Sequence, residues 1–149
     1  MLEAANNTSN PGRHRIEHSQ VIALEDFQRF KDLNLIASVQ PTHATSDMYW
    51  AEDRVGPNRI KGAYAWQKFA SMGIPLALGS DFPVEKPEPL LGFYAAVARQ
   101  DTKGWPEGGW YPQEKLSRDQ ALHGFTLGCL LYTSPSPRDL STSRMPSSA

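Results

Sequence analysis

Two residues of this 149-residue chain, His18 and Asp81, are of types that bind divalent metals; His18 lies in a segment that alternates polar and apolar residues, and Asp81 follows a short apolar run. Neutral imidazole and carboxylate groups both suit zinc and its neighbours. Two ligands alone do not make a site, because catalytic zinc normally keeps about three protein ligands and an open position for water. A metal site would therefore need a partner from His43, His14 or Asp47, unless this chain contains none.

The run before Asp81 reads PLALGS and predicts a short buried strand. With a period of two residues, Leu76 and Leu78 point to one side, and Ala77, Gly79 and Asp81 point to the other. One face is bulky and apolar, whereas the other is small and ends in a carboxylate. An aspartate after Gly-Ser is also a common turn or N-cap residue. The strand by itself leaves both interpretations open.

The rest of the chain alternates strand-like and helix-like segments, which is typical of parallel βα units. Because the C-terminal ends of such strands meet at one edge of the sheet, we expect His18, His43 and Asp81 to converge there. The predicted strands cover about residues 13–22, 35–40 and 74–80, and the predicted helices cover about 24–33, 60–72, 90–98 and 117–127, the last opening on a capping-box match at Ser117 and stopping at Gly128.

Two long segments are predicted to be loops. The first, about 41–59, carries His43 and Trp50, and the second, about 99–112, sets two tryptophans and a tyrosine among glycines. Loops of this length are uncommon without a role. The second is either an irregular surface excursion or the wall of a pocket, and the sequence leaves both interpretations open.

Composition argues against several classes of partner and compartment. With 15 basic and 16 acidic residues and a net charge of −1, the chain offers no basic face for nucleic acid or an anionic membrane. The single cysteine, Cys129, cannot form an internal disulfide. No apolar run approaches the ~18 residues of a membrane span, and the first residues lack a signal-peptide profile. The default expectation is a soluble, cytoplasmic protein.

Three motifs in combination closely resemble the amidohydrolase superfamily, in particular its amidohydrolase 3 or YtcJ-like branch of metal-dependent hydrolases. They are HRIEHSQ at 14–20, VQPTHATSDMYW at 39–50 and GSDFPVE at 79–85. The resemblance implies an α/β fold, a (β/α)8 TIM barrel with one or two divalent metals, zinc first among them, at the C-terminal ends of its strands. Residues 1–128 would form the C-terminal part of that barrel, roughly strands six to eight, all parallel, with their helices.

The same resemblance implies roles for individual residues. His18 resembles the sixth-strand metal-binding histidine, and Asp81 resembles the eighth-strand aspartate, which binds metal and, as the catalytic residue, takes the proton of a metal-activated water. His43 would contact the small-molecule substrate, and Trp50 and Arg99 are further candidates for that contact. The implied reaction is hydrolysis of amide-type C–N bonds other than peptide bonds.

The chain also departs from the family pattern. The family's first-strand His-X-His pair, bridging ligand and fifth-strand histidine are expected to precede this chain, so its metal site would be incomplete. A full barrel takes about 250 residues or more, and three strands cannot close one. We therefore expect a fragment truncated at both ends and inactive alone. The alternative is a stand-alone, non-catalytic α/β module that binds a small ligand.

Residues 129–149 are predicted to form a disordered tail, with serine and proline dominating from about Thr133. This tail also resembles the translated adapter or vector sequences found at the ends of some assembled sequences. On that interpretation it is not part of the native protein.

Overall fold

The computed structural model describes residues 13–133, in which three short parallel strands form one sheet. The strands are β1 (Arg15–Glu17), β2 (Ile36–Val39) and β3 (Leu76–Leu78), and they lie in the order β1-β2-β3. Glu17 of β1, Ser38 of β2 and Ala77 of β3 lie in one row across the sheet. The parallel arrangement predicted from the alternating elements is confirmed.

Short helices follow and connect the strands. Within residues 13–133, no helix is both long enough and apolar enough to cross a membrane. The helices are α1 (Asp26–Asp32), α2 (Pro41–Asp47), α3 (Ala51–Arg59), α4 (Trp66–Ser71), α5 (Pro89–Ala98), α6 (Arg118–His123) and α7 (Cys129–Thr133), with 3-10 turns at Ile60–Gly62 and Pro112–Glu114 and a π-helical segment at Gly124–Gly128.

The predicted strands and the helices α1, α5 and α6 are confirmed. The first strand is shorter than the predicted 13–22, since it covers only Arg15–Glu17, and the ends of the other elements differ by a few residues. The capping box at the start of α6 is also present. The Ser117 hydroxyl accepts a hydrogen bond from the Gln120 backbone N–H, and the Gln120 side-chain oxygen accepts one from the Ser117 N–H. Both otherwise unpaired donors at this helix end are thereby satisfied.

The predicted loop at 41–59 is wrong, because this segment forms α2 and α3. Proline ends a strand, but it also fits the first turn of a helix, where its missing N–H is not needed and its φ is already suitable. Pro41 occupies that position in α2. A kink at Gly56, whose φ is 76°, interrupts α3 before Pro57. The single helix predicted at 60–72 is α-helical only from Trp66.

Two further expectations about the C-terminal part are corrected. The helix predicted to stop at Gly128 continues into α7, so the predicted disordered tail does not begin at residue 129. Gly128 is small for a packing reason, since a Cβ at this position would meet the carbonyl oxygen of Leu76 in β3. The part of the predicted tail at 134–149 lies outside the described residues.

The hydrophobic core lies between the sheet and its helices. Leu76 and Leu78 belong to it, as predicted. Burial of each large apolar side chain contributes about 1.5–3 kcal/mol. Ala77 and Gly79, on the alternate side of β3, line a cavity that Leu78 also borders. The largest side chains of the core, each at most 2% exposed, are Trp66, Phe27, Phe30, Phe69 and Leu116.

Candidate functional site

The candidate site lies where the three strands end. His18 directly follows β1, Asp81 lies three residues beyond β3, and His43 lies in α2, just after β2. His18 and Asp81 have left-handed backbone conformations, with φ of 67° and 57°. This region of φ is uncommon for residues other than glycine, and strained residues of this kind cluster at functional sites. The strand ends therefore place both predicted ligands at one edge of the sheet.

His18, His43 and Asp81 come together as a group of three possible metal ligands. Each offers one ligand atom, and these atoms lie within 4.8 Å of one another. The Nε2 atom of His43 is 3.7 Å from Oδ2 of Asp81, and the two imidazole rings stack with centroids 5.8 Å apart. Of the partners that the sequence left open, the structure brings His43 to the pair, and the group contains neither His14 nor Asp47.

This donor set fits a divalent metal. Nε2 of His43 is buried and has no hydrogen-bond partner, a state that costs about 1–3 kcal/mol and that a bound cation would relieve. Two ligands of a tetrahedral zinc ion, at about 2.0–2.1 Å from it, are about 3.3 Å apart. The 3.7 Å between His43 and Asp81 is close to that separation. Two imidazoles and a carboxylate match the chemistry of a catalytic zinc site with an open position.

A hydrogen-bond network contacts the imidazole of His18 at its Nδ1 atom. The Gln40 side-chain oxygen lies 2.9 Å from Nδ1 of His18, and the Gln40 amide donates to Oε1 of Glu17 at 2.9 Å. The Ser38 hydroxyl donates to the same Glu17 oxygen at 2.6 Å. Gln40, Glu17 and Ser38 were not predicted from the sequence as site residues. The alternation of side chains along an extended segment could have identified them, because it places Ser38 and Gln40 on the same side. Glu17 is the residue of β1 that pairs with Ser38.

A cavity of about 330 Å³ adjoins the network and Asp81. An Arg15–Glu17 ion pair with a separation of 3.2 Å lies at its wall. Its size suits a small molecule. The residues that line it are Arg15, Glu17, Ser38, Gln40, Ala77, Leu78, Gly79, Asp81 and Cys129.

Arg99 does not face such a cavity. Its side chain is fully buried, and its guanidinium donates to the carbonyl oxygens of Trp110 and Tyr64. The same group lies 4.5 Å from the centre of the Trp66 ring and 5.2 Å from that of Trp110. Burial lowers the pKa of Arg99 to about 10. The predicted substrate contact by Arg99 does not fit this position, in which the side chain joins the core to the loop at 99–112.

Trp50 lies at the start of α3 with 47% of its surface exposed. Within residues 13–133, it is not among the residues that line the 330 Å³ cavity. Its substrate contact stays a prediction.

The second long loop forms part of a pocket wall. Gln100, Asp101 and Thr102 line a pocket of about 340 Å³ together with residues of α2 and α5. Tyr49 stacks on Trp105, with ring centroids 5.1 Å apart, and its hydroxyl donates to Asp101 at 2.7 Å. Of the two interpretations that the sequence left open for this loop, the geometry favours the pocket wall.

The sequence of this chain is similar to those of known proteins. The Amidohydrolase family model matches residues 1–129. The protein YtcJ of Bacillus subtilis (strain 168) is 36% identical over 118 residues, which are 78% of this chain and 22% of YtcJ. Its name assigns it provisionally to the amidohydrolases. Protein LONG AFTER FAR-RED 3 of Arabidopsis thaliana is 38% identical over 125 residues, which are 83% of this chain and 21% of that protein.

Two solved structures, both of uncharacterised metal-dependent hydrolases, share the fold. The protein from Pyrococcus furiosus superposes with a TM-score of 0.71, and that from Pyrococcus horikoshii OT3 superposes with a TM-score of 0.75. Each is 32% identical, and each match covers 89% of this chain and 26% of the other. The chain thus spans about a fifth of the curated relatives and about a quarter of the solved chains.

Proposed function

Since the chain belongs to the amidohydrolase family, we propose that it contributes part of the metal-dependent active site of a hydrolase that cleaves amide-type C–N bonds other than peptide bonds. The observation that carries the proposal is the convergence of His18, His43 and Asp81, whose ligand atoms lie within 4.8 Å of one another. The substrate is a small molecule, for which the adjoining 330 Å³ cavity provides space.

The fold proposed for the whole domain is a (β/α)8 barrel in which β1, β2 and β3 are strands six, seven and eight. The parallel strand order supports this assignment. Polar Glu17 and Ser38 lie in one row with the small Ala77, facing a cavity as the inner side of such a barrel would. The site then lies at the C-terminal ends of the strands, where barrel enzymes bind their substrates.

The metal that we propose is zinc, held by His18, His43 and Asp81. A divalent cation held at this position would supply Lewis acidity and would make water a nucleophile near neutral pH. Including His43 among the ligands departs from the substrate contact predicted for it, and its buried, unpaired Nε2 supports the change. The remaining ligands of a complete family site would come from outside the described residues.

Asp81 is the proposed general base. Its side chain is 34% exposed, which leaves the carboxylate accessible to an attacking water, and its Oδ2 lies 3.7 Å from Nε2 of His43. Proton transfer to a positioned carboxylate typically contributes 10²–10⁴-fold to the rate, roughly. The same carboxylate would return the proton to the leaving nitrogen, so that the C–N bond breaks with a neutral amine as product.

Metal binding tests the site directly. Calorimetric titration of the 149-residue chain with Zn²⁺ should show saturable binding, which His18→Ala and Asp81→Asn weaken by roughly 100-fold or more because each removes a ligand. Matched controls are His123→Ala and Asp53→Asn, which remove an exposed histidine and an exposed aspartate outside the cluster. Equal Zn²⁺ affinity in all five proteins would overturn the proposed site.

The reaction class needs a second experiment. A chimera that carries residues 13–128 in place of the matching segment of YtcJ should bind metal and hydrolyse N-acyl amides in preference to dipeptides, and Asp81→Asn in the chimera should abolish turnover. Hydrolysis confined to esters or dipeptides would contradict the proposed bond type.

The Zn²⁺-loaded chain alone should be inactive. Binding of a small ligand by the metal-free chain would instead support the alternative of a non-catalytic binding module.

A further inference from the structure

We propose that Gln40 is a positioning residue that holds His18 in the tautomer with a proton on Nδ1, so that Nε2 is left as the metal-binding atom. Glu17 and Ser38 in turn hold the amide of Gln40 in the orientation that this requires. The assignment of Nε2 to a metal rests on the proposed function, whereas the tautomer itself follows from the hydrogen bonds of the chain.

The orientation of the Gln40 amide follows from its neighbour. A carboxylate oxygen can only accept hydrogen bonds. Oε1 of Glu17 accepts one from the Ser38 hydroxyl at 2.6 Å and one from Nε2 of Gln40 at 2.9 Å. The reversed amide would place its oxygen against this acceptor, with no proton between the two oxygens. Glu17 therefore directs the NH₂ group of Gln40 towards itself and the amide oxygen away.

The His18 tautomer follows from the amide orientation. Oε1 of Gln40 lies 2.9 Å from Nδ1 of His18, and an amide oxygen is an acceptor. Nδ1 must therefore carry the proton and donate. A neutral imidazole has one N–H, so the lone pair is on Nε2. Imidazole ligands of metals commonly donate their other N–H to such a partner, which orients the ring.

The sheet register assembles this network. Glu17 and Ser38 are paired residues of β1 and β2. Gln40 follows Ser38 by two residues with an extended backbone, φ −119° and ψ 103°, so it lies on the same face. Ser38 and Gln40 are 7% and 5% exposed. This burial shields the hydrogen bonds from water on the side of β2, whereas His18 and Glu17 are exposed.

Nitrogen NMR of the metal-free chain, labelled with ¹⁵N-histidine, reads the tautomer at a pH where imidazole is neutral. We expect His18 to show a protonated Nδ1 and an unprotonated Nε2, with its signals assigned by comparison with His18→Ala. Gln40→Met keeps the length of the side chain but offers no acceptor oxygen. It should shift His18 towards the tautomer with the proton on Nε2 and weaken Zn²⁺ binding by roughly 10–100-fold.

Two other variants separate positioning from a general effect on folding. Glu17→Gln replaces the acceptor by an amide that can also donate, so the Gln40 amide loses its fixed orientation and His18 should populate both tautomers. Gln28→Met removes an exposed amide that donates to Asp32, and it should change neither the His18 signals nor the Zn²⁺ affinity. Thermal unfolding of each variant identifies any that fails to fold, and each of the two network variants tests the proposal independently.

The proposal would be overturned by a wild-type His18 with its proton on Nε2, or by a folded Gln40→Met protein whose tautomer is unchanged. If the wild-type chain binds no Zn²⁺ but shows the Nδ1–H tautomer, and Gln40→Met loses it, positioning by Gln40 is supported while the proposed function fails. The two failures are thus distinguishable.

Discussion

Nε2 of His43 lies 3.7 Å from Oδ2 of Asp81, although the two residues belong to different βα units. This separation is too long for a hydrogen bond, and Nε2 has no other partner and no access to solvent. A cation between the two atoms would satisfy both. The short distance and the unpaired Nε2 make His43 a candidate metal ligand.

His43→Ala should weaken Zn²⁺ binding by the chain by roughly 100-fold or more, as His18→Ala and Asp81→Asn do, since the substitution removes one of three ligands. Calorimetric titration measures the change, with His123→Ala as the control for loss of an exposed histidine. An unchanged Zn²⁺ affinity combined with weaker substrate binding would restore the substrate contact predicted from the sequence.

Arg99→Ala should lower the free energy of unfolding by about 3–5 kcal/mol, because it opens a cavity between Trp66 and Trp110 and removes the guanidinium donor to the Trp110 and Tyr64 carbonyl oxygens, of which the Tyr64 oxygen keeps the Trp66 N–H. Urea unfolding measures the loss. The control is Arg29→Ala, which breaks an exposed ion pair with Asp26 and should change stability by at most about 1 kcal/mol. Wild-type stability in Arg99→Ala would contradict a structural role.

Gly128→Ala should destabilise the protein by about 1–3 kcal/mol, because the added methyl group would meet the Leu76 carbonyl oxygen and force α7 away from β3. Gly79→Ala is the matched control, since a Cβ at that position meets nothing within 4 Å. It should be neutral or slightly stabilising. Equal losses in thermal unfolding of the two variants would mean that Gly128 is not required for packing.

Tyr49→Phe should raise the pKa of Asp101 towards its ordinary value of 3.8. The Tyr49 hydroxyl, followed by the backbone N–H of Trp105, holds that pKa down in the wild-type protein. A depressed carboxyl pKa adds stability above the unfolded pKa and loses it as the pH falls through the folded pKa. The wild-type protein should therefore lose more stability than Tyr49→Phe on acidification below about pH 4.

Carboxyl-carbon NMR titration measures the Asp101 pKa in both proteins. Tyr94→Phe, which removes a hydroxyl bonded to Gln100, serves as the control and should leave that pKa unchanged. An Asp101 pKa that is the same in the wild-type and Tyr49→Phe proteins would show that the hydroxyl does not hold it down.

The hydrophobic periodicity of the sequence was sufficient to predict the strands of the sheet. It was not sufficient to predict the helices that connect β2 and β3. Alternation of large and small residues in the run before Asp81 marks a strand whichever helices surround it, because side chains alternate across any strand. Pro41 was ambiguous, since proline both ends strands and begins helices. The fold resolved it as the first turn of α2, which carries His43 to the site.

The sequence by itself determined that His18 and Asp81 follow strands of parallel βα units, because hydrophobic period and element order are properties of the linear chain. The same order predicted that His43 lies near them, but only the tertiary structure decided that its Nε2 is at ligand distance from Asp81, that Gln40 contacts His18 and that Arg99 is buried. The physical reason is that distances across a sheet depend on the register between strands, and the direction of a side chain depends on local backbone turns such as the left-handed conformations at His18 and Asp81. Neither the register between strands nor these backbone turns can be predicted from the spacing of residues alone.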